Sequence, residues 1–345
     1  MVAIEGYADA AALWGMTRGW LSLAQLSRAD LIVADHSPGA LLAGRILGLP
    51  RACIGTGFKI PPRRSPLPSI RPWESVPEDR LQRSERAVLK AINGVIRSFR
   101  GGELDHLADL FDIEARIFLT FAELDPYGPR DERYLGPIYD ADFGEPAAWP
   151  EGERPRIYAY LRASVPGAAN ILRVLGKAEA STLCFIPDIR PETVKSLASD
   201  RPRIASRPLH LAAILPQADL AVSYGGHGVV GAALVAGVPS LVVPQNVEQY
   251  LHARRVESLG AGIVVDEDRR LPSIASHIKK ALANPGLRAA AREFSVRHAG
   301  FDPMLVVAEA AKTIDGLRAS GTGFGMQAQT LRPLASLQDG VTPLG

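Results

Sequence analysis

Short, continuous apolar runs alternate along the chain with longer stretches of helical period. ADLIVAD (29–35) reads as a buried strand, PGALLAGRILG (38–48) as the helix that follows it, and RACIG (51–55) as the next strand. Strand, helix, strand is the signature of a parallel sheet. The Pro-rich, basic stretch 57–77 predicts a long loop, a length usually found in functional or mobile segments. Residues 78–112 carry a helical pattern interrupted at Gly101-Gly102, and ARIFLTF (115–121) reads as another strand. The chain opens on a helical pattern, YADAAALWG, where a doubly wound domain normally opens on a strand.

Residues 140–154 are acidic, aperiodic and Pro/Gly-containing, and read as a linker between a first domain (1–139) and a second (155–319). In the second, strands are predicted at 156–161, 181–186, 203–206, 219–223, 240–244 and 262–265, with helices between them and beyond to about Leu317. Residues 320–345 lose periodicity and are expected to form a disordered tail. The fold class is therefore α/β, two domains with parallel sheets.

Composition narrows the reading. A chain of 345 residues suits two domains, and 47% hydrophobic with 22% charged residues excludes a wholly disordered one. Lys+Arg number 39 and Asp+Glu 37, a balance that argues against a nucleic-acid binder. Cys53 and Cys184 stand far apart in apolar runs, which excludes a disulfide framework or a four-Cys zinc site and fits a reducing cytoplasm. The first residues lack a basic region and carry Glu5 and Asp9, unlike a secretory signal. From Leu220 to Val247 no residue is formally charged, a stretch long enough to span a bilayer. Five glycines with Pro239 and Pro244 divide it into strand, turn, helix and strand, so no membrane span is expected.

The chemistry concentrates in 215–262. A strand ending at Ser223 runs into the turn Tyr224-Gly225-Gly226-His227-Gly228, and a helix starts near Gly228. A helix N-terminus after such a turn offers unpaired N–H groups and a positive dipole end to an anion, phosphate above all. The glycines permit close approach and positive φ. A tight turn without ligand is the plain alternative. Beyond the next strand, PQNVEQYLHA (244–253) puts Asn246, Glu248 and Gln249 at a strand's carboxyl end, the edge where open α/β sheets bind ligands. A carboxylate and an amide there can bracket a polyol. Phosphate turn and sugar clamp together point to a nucleotide sugar.

On these residues, 155–317 resembles the donor domain of GT-B glycosyltransferases, in the family of UDP- or dTDP-sugar-dependent enzymes that glycosylate natural products and lipids. The resemblance implies two facing Rossmann-like domains, with the diphosphate at 224–228 and the sugar at Glu248-Gln249. It also implies inverting transfer to a small-molecule or lipid acceptor, without cofactor or metal. Two departures matter. The family's phosphate-contacting His aligns with Tyr224, and the Ser/Thr after the turn is Val229. Phosphate contacts then reduce to backbone, with His227 as the one side chain available if it does not merely cap or pack.

DLIVADHSPGALLAGRILGLPRACIGTGF (30–58) is similar to the family's acceptor domain. It places Asp35 at the carboxylate that orients a catalytic His, the pair acting as general base. That His would precede Met1, so the resemblance implies an incomplete first domain, an uncovered sheet edge prone to self-association, and doubtful activity. His36 adjoins Asp35, but neighbours on an extended segment point to opposite faces. An inactive nucleotide-sugar-binding protein and a GT-B epimerase are the alternatives. The pairs Asp140/Asp142 and Asp266/Asp268 read as solvated turns rather than metal ligands. His252, one helical turn from Glu248, either faces the donor site or packs inside.

Overall fold

The computed structural model describes residues 6–140, 142–146, 148–150, 155–164, 167–190, 192, 202–265 and 271–321. The acidic pair Asp266/Asp268 and residues 322–345 lie outside them.

The N-terminal pattern forms helix α1 (Ala10–Leu26), capped by Asp9, whose carboxylate accepts from the Ala11 and Ala12 N–H groups. Strand β1 (Ile32–Ala34), helix α2 (Pro38–Leu47) and strand β2 (Arg51–Gly55) follow as the patterning requires. Ser37 caps α2, Pro38 opens it and left-handed Gly48 closes it. Helix α3 (Glu78–Ser98) ends three residues before Gly101, and only a 3₁₀ turn (Leu107–Phe111) continues toward strand β3 (Ala115–Phe118). The three strands are parallel in the order β1-β2-β3. Helices α1, α2 and α3 bury one apolar cluster with them, centred on Leu13, Leu41, Ile92 and Phe111.

The second sheet has six parallel strands: β4 (Arg156–Tyr160), β5 (Ser181–Phe185), β6 (Arg203–Ala205), β7 (Leu220–Ser223), β8 (Ser240–Val242) and β9 (Gly262–Val264). Their order, β6-β5-β4-β7-β8-β9, reverses direction between β4 and β7, the crevice where doubly wound sheets bind ligands. Among the described residues, helices α4 (Ala168–Lys177), α5 (Leu211–Ile214), α6 (His227–Val235), α7 (Val247–Ser258), α8 (Leu271–Ala283) and α9 (Pro285–Arg297) accompany these strands. Apolar clusters line both faces of the sheet, as uninterrupted burial along β5, β7 and β8 demands.

The final helix, α10 (Pro303–Gly321), returns to the first sheet and packs near β3. Ion pairs Arg133–Glu309 and Arg318–Asp30 accompany the return. The turn after β3 docks on the second part. Phe121 packs edge-on against Phe294 and Phe301, while Glu123 accepts from Arg297 and contacts the His298 ring. Those two partners hold the Glu123 carboxyl below the usual range despite its burial. Within the expected linker, Gly144 lies against Pro208 and Leu209 and Glu145 bridges to Leu209. Among the described residues, no helix is long and apolar enough to cross a membrane.

Candidate donor and acceptor site

Strand β7 delivers the chain to the crevice, and Gly225 turns it with φ +89°. A Cβ on Gly225 would lie 2.8 Å from Val242 Cγ1, so conformation and space both require glycine. Gly226 differs. Its φ is −61°, it is exposed, and an added Cβ would meet nothing within 4 Å. Gly226 is the N-cap of α6, and no side chain caps that helix. The N–H groups of the first turn of α6 thus have no intrahelical partner, beside an open approach. Gly228 and Gly231 serve the fold. An added Cβ would sit 3.3 Å from Tyr139 Cβ and 2.5 Å from Pro137 Cγ, so the two glycines let 137–139 cross directly over α6.

The two side chains of the turn, Tyr224 and His227, make contacts within the fold. Tyr224 is buried in the sheet's core, with its hydroxyl donating to the Arg162 carbonyl (3.0 Å). His227 stacks face to face on His252 of α7. His252 is fully buried, and its Nδ1 lies 3.1 Å from the Gly225 carbonyl. A carbonyl can only accept, so Nδ1 carries the hydrogen. Burial, then the adjacent His252 ring, hold His227 well below the ordinary histidine range. Burial likewise lowers His252 to about 4, opposed by its bond to Gly225. Both rings are neutral near pH 7 and give a phosphate no positive charge. The Tyr224 hydroxyl is committed to the Arg162 carbonyl, and any contact from His227 to a phosphate would be that of a neutral N–H donor.

At the next edge, Asn246 caps α7 by accepting from the Gln249 N–H (2.9 Å). Its Oδ1 is therefore spent on the helix, a local role that Asn followed three residues later by Gln already signals. Gln249 Oε1 accepts from the Gln245 N–H (2.8 Å). The first turn of α7 touches the 224–228 turn directly, since a Cβ on Gly225 would lie 3.4 Å from the Gln249 carbonyl. Glu248 reaches across the crevice, where Thr56 donates its hydroxyl to Oε1 at 2.6 Å. Thr56, which follows β2, was not singled out from the sequence. Its partner lies 192 residues away, beyond the reach of local patterning.

Asp35 and His36 occupy the carboxyl end of β1, both exposed. His36 has φ +55°, and its Nε2 lies 3.5 Å from Asp35 Oδ1. The opposite-face expectation fails because it assumes an extended backbone, and the left-handed bend at His36 folds the ring back. Asp35 also borders Gly55, where a Cβ would lie 3.3 Å from Oδ1. Contacts thus run from Asp35 through Gly55-Thr56 to Glu248 and the 224–228 turn.

Other expectations fare variously. The 57–77 loop is anchored. Ser65 and the Leu67 N–H donate to buried Glu85, and Trp73 packs edge-on against Tyr250. Asp140 accepts from the Asp142 and Phe143 N–H groups, and Asp142 contacts His210. No cluster of metal-ligating side chains occurs among the described residues. A cavity of about 750 Å³ lies apart from the crevice, between α4 and α8.

Two facing parts with parallel sheets and a ligand crevice at a strand-order reversal define the GT-B class of fold. Comparison with known proteins agrees. Solved structures similar to the chain include the calicheamicin glycosyltransferase CalG4 (TM-score 0.61, 18% identity, 89% of this chain and 81% of that one). Another is the glycosyltransferase VinC in complex with dTDP (0.59, 17%, 90% and 80%). Residues 169–310 match the family model "Erythromycin biosynthesis protein CIII-like, C-terminal domain". A PGL/p-HBAD biosynthesis glycosyltransferase of Mycobacterium tuberculosis is 29% identical over 293 residues, 77% of this chain and 66% of the relative. A PGL/p-HBAD biosynthesis rhamnosyltransferase of Mycobacterium bovis is 29% identical over 289 residues, 76% and 62% respectively. The chain spans less than two thirds of the length of either relative.

Proposed function

We propose that the chain transfers a sugar from a UDP- or dTDP-sugar to an acceptor hydroxyl, with inversion and without a metal. One observation carries this reading. The uncapped N-terminus of α6, with open space over Gly226, lies against the helix that carries Glu248. In this reading the donor's diphosphate sits on the α6 N–H groups and its sugar hydroxyls bond Glu248 and Gln249. A sugar there has to share or displace the bond from Thr56.

The acceptor oxygen attacks the anomeric carbon from the side away from the diphosphate. The carbon–oxygen bond to the diphosphate breaks, its electron pair leaves with the phosphate, and a single displacement inverts the centre. The fixed N–H groups and dipole of α6 stabilise the negative charge as it develops, the work a metal would otherwise do. Relatives named for rhamnosyl transfer and a dTDP-bound neighbour make dTDP-rhamnose the first donor to try. The acceptor is a small molecule or lipid, and the setting cytoplasmic.

The test is binding, then turnover. UDP or dTDP should raise the melting temperature by mass action, and a donor with acceptor should yield glycoside and nucleoside diphosphate in the presence of EDTA. No nucleotide-induced shift, or an obligatory divalent cation, would overturn the corresponding part.

A further inference from the structure

Resting on that reading, we propose that His252 is a positioning residue for the donor: from inside the fold it holds the Gly225 carbonyl and so turns the Gly226 N–H out toward the diphosphate. His252 lies on α7, one helical turn beyond Glu248, and is wholly buried. A side chain kept there only to fill space would be apolar, because each buried nitrogen left unpaired costs free energy. His252 retains that cost at Nε2, which has no partner among the described residues. Its Nδ1 donates to the Gly225 carbonyl at 3.1 Å.

That bond acts on the next peptide unit. Gly225 is pinned at both of its polar groups, since its N–H donates to Ser223 Oγ at 3.2 Å and its carbonyl accepts from His252. The Gly225–Gly226 peptide is trans, and a trans peptide points its C=O and N–H in opposite directions. With the carbonyl drawn toward the buried ring, the Gly226 N–H faces the other way. Gly226 is exposed, and an added Cβ would meet nothing within 4 Å. Its own carbonyl accepts from the Val230 N–H and so belongs to α6. The outward N–H therefore joins those of the first turn of α6 as a donor set in place before the anion arrives.

His227 keeps the ring in that orientation. Its imidazole lies 3.6 Å from that of His252 between centroids, with the planes 8° from parallel. Rotating the His252 ring to carry Nδ1 off the carbonyl would break this stack. His227 is also the first residue of α6. The helix that would receive the diphosphate thus supplies the brace for the residue that shapes its approach.

The test uses the full chain, isotope-labelled, with dTDP as the probe. Long-range proton–nitrogen spectra of the parent should show His252 with its hydrogen on Nδ1, and dTDP should shift the Gly226 amide resonance. His252→Asn places an amide N–H where Nδ1 was. His252→Leu has nearly the shape of that variant without the donor. In calorimetry, His252→Leu should bind dTDP about ten-fold or more weakly, and His252→Asn within about three-fold of the parent, as expected for one hydrogen bond acting on a charged ligand. The dTDP-induced shift at Gly226 should persist with Asn and shrink with Leu, a local response that a role in packing alone would not produce. A His252→Leu protein that binds dTDP as the parent does would overturn the assignment. So would equal losses in the two variants, or a parent in which His252 carries its hydrogen on Nε2, a result that needs no variant to fold. A parent that binds no dTDP would instead sink the underlying reading.

Discussion

The imidazole of His227 lies on that of His252, ring centroids 3.6 Å apart and planes 8° from parallel. The Nε2 atoms of both are buried without a hydrogen-bond partner among the described residues, so burial favours the uncharged pair. Unfolded, each ring titrates near the ordinary histidine value, and folded, both titrate lower.

Acid must therefore favour unfolding, because below about pH 6.5 the unfolded chain binds more protons. Each ring should remove about 1.4 kcal/mol of stability per pH unit, the loss from His252 continuing to about pH 4. Urea unfolding at pH 7.5 and 5.5 measures this. His252→Asn keeps a donor for the Gly225 carbonyl and should flatten the dependence. An equally steep loss in that variant would show that the acid sensitivity lies elsewhere.

The two glycines of the turn should separate fold from ligand. Gly226→Val meets no protein atom within 4 Å of its Cβ and should melt within about 1 kcal/mol of the parent, since exposed changes cost little. It should nonetheless abolish the stabilisation by dTDP, because its side chain fills the approach to the α6 N–H groups. Gly225→Val should destabilise the chain outright, from its φ of +89° and the Val242 contact. A Gly226→Val protein with an undiminished nucleotide shift would remove the anion from this turn.

Glu248 carries two possible burdens, a sugar and the bridge to Thr56. Glu248→Ala should weaken a nucleotide sugar by roughly ten-fold or more and spare the bare nucleotide, the loss of one charge-assisted hydrogen bond. Thr56→Val removes the bridge and leaves the carboxylate, so affinity for the sugar nucleotide should hold. Calorimetry on both variants distinguishes the two. Equal losses in the two variants would assign Glu248 to the bridge.

The strands were legible because parallel strands buried on both faces are bare apolar runs, and each observed strand falls inside its predicted run. That same uniformity hid the orientation of Tyr224. Where Leu220–Ser223 are all buried, alternation carries no sign of which way the next ring turns. His36 was misread for a different reason, since a single positive φ reverses a side chain and only glycine advertises such a bend. The Thr56–Glu248 bond and the packing of Phe121 on Phe301 join distant segments, and no local pattern encodes them. Asn246 was readable as a cap from the Gln three residues further on.

Asp125 shows what holds the first sheet's ligand edge in shape. Its side chain is wholly buried. Oδ2 accepts from Arg130 Nε and Nη2 and from the Tyr134 hydroxyl, and Oδ1 accepts from the Tyr127 N–H. Arg130 also donates to the Ile60 carbonyl and lies over the Phe118 ring, so one ion pair ties the start of the 57–77 loop to the end of β3. Removing one member strands the other's charge in the interior, which typically costs 3–5 kcal/mol. Asp125→Ala and Arg130→Met should each destabilise by about that much. Their combination should cost well below the sum, because neither charge is then left unpaired. Urea unfolding of the two single variants and the double closes the cycle. Additive losses would show that the two residues act separately and that the loop is held by its other contacts.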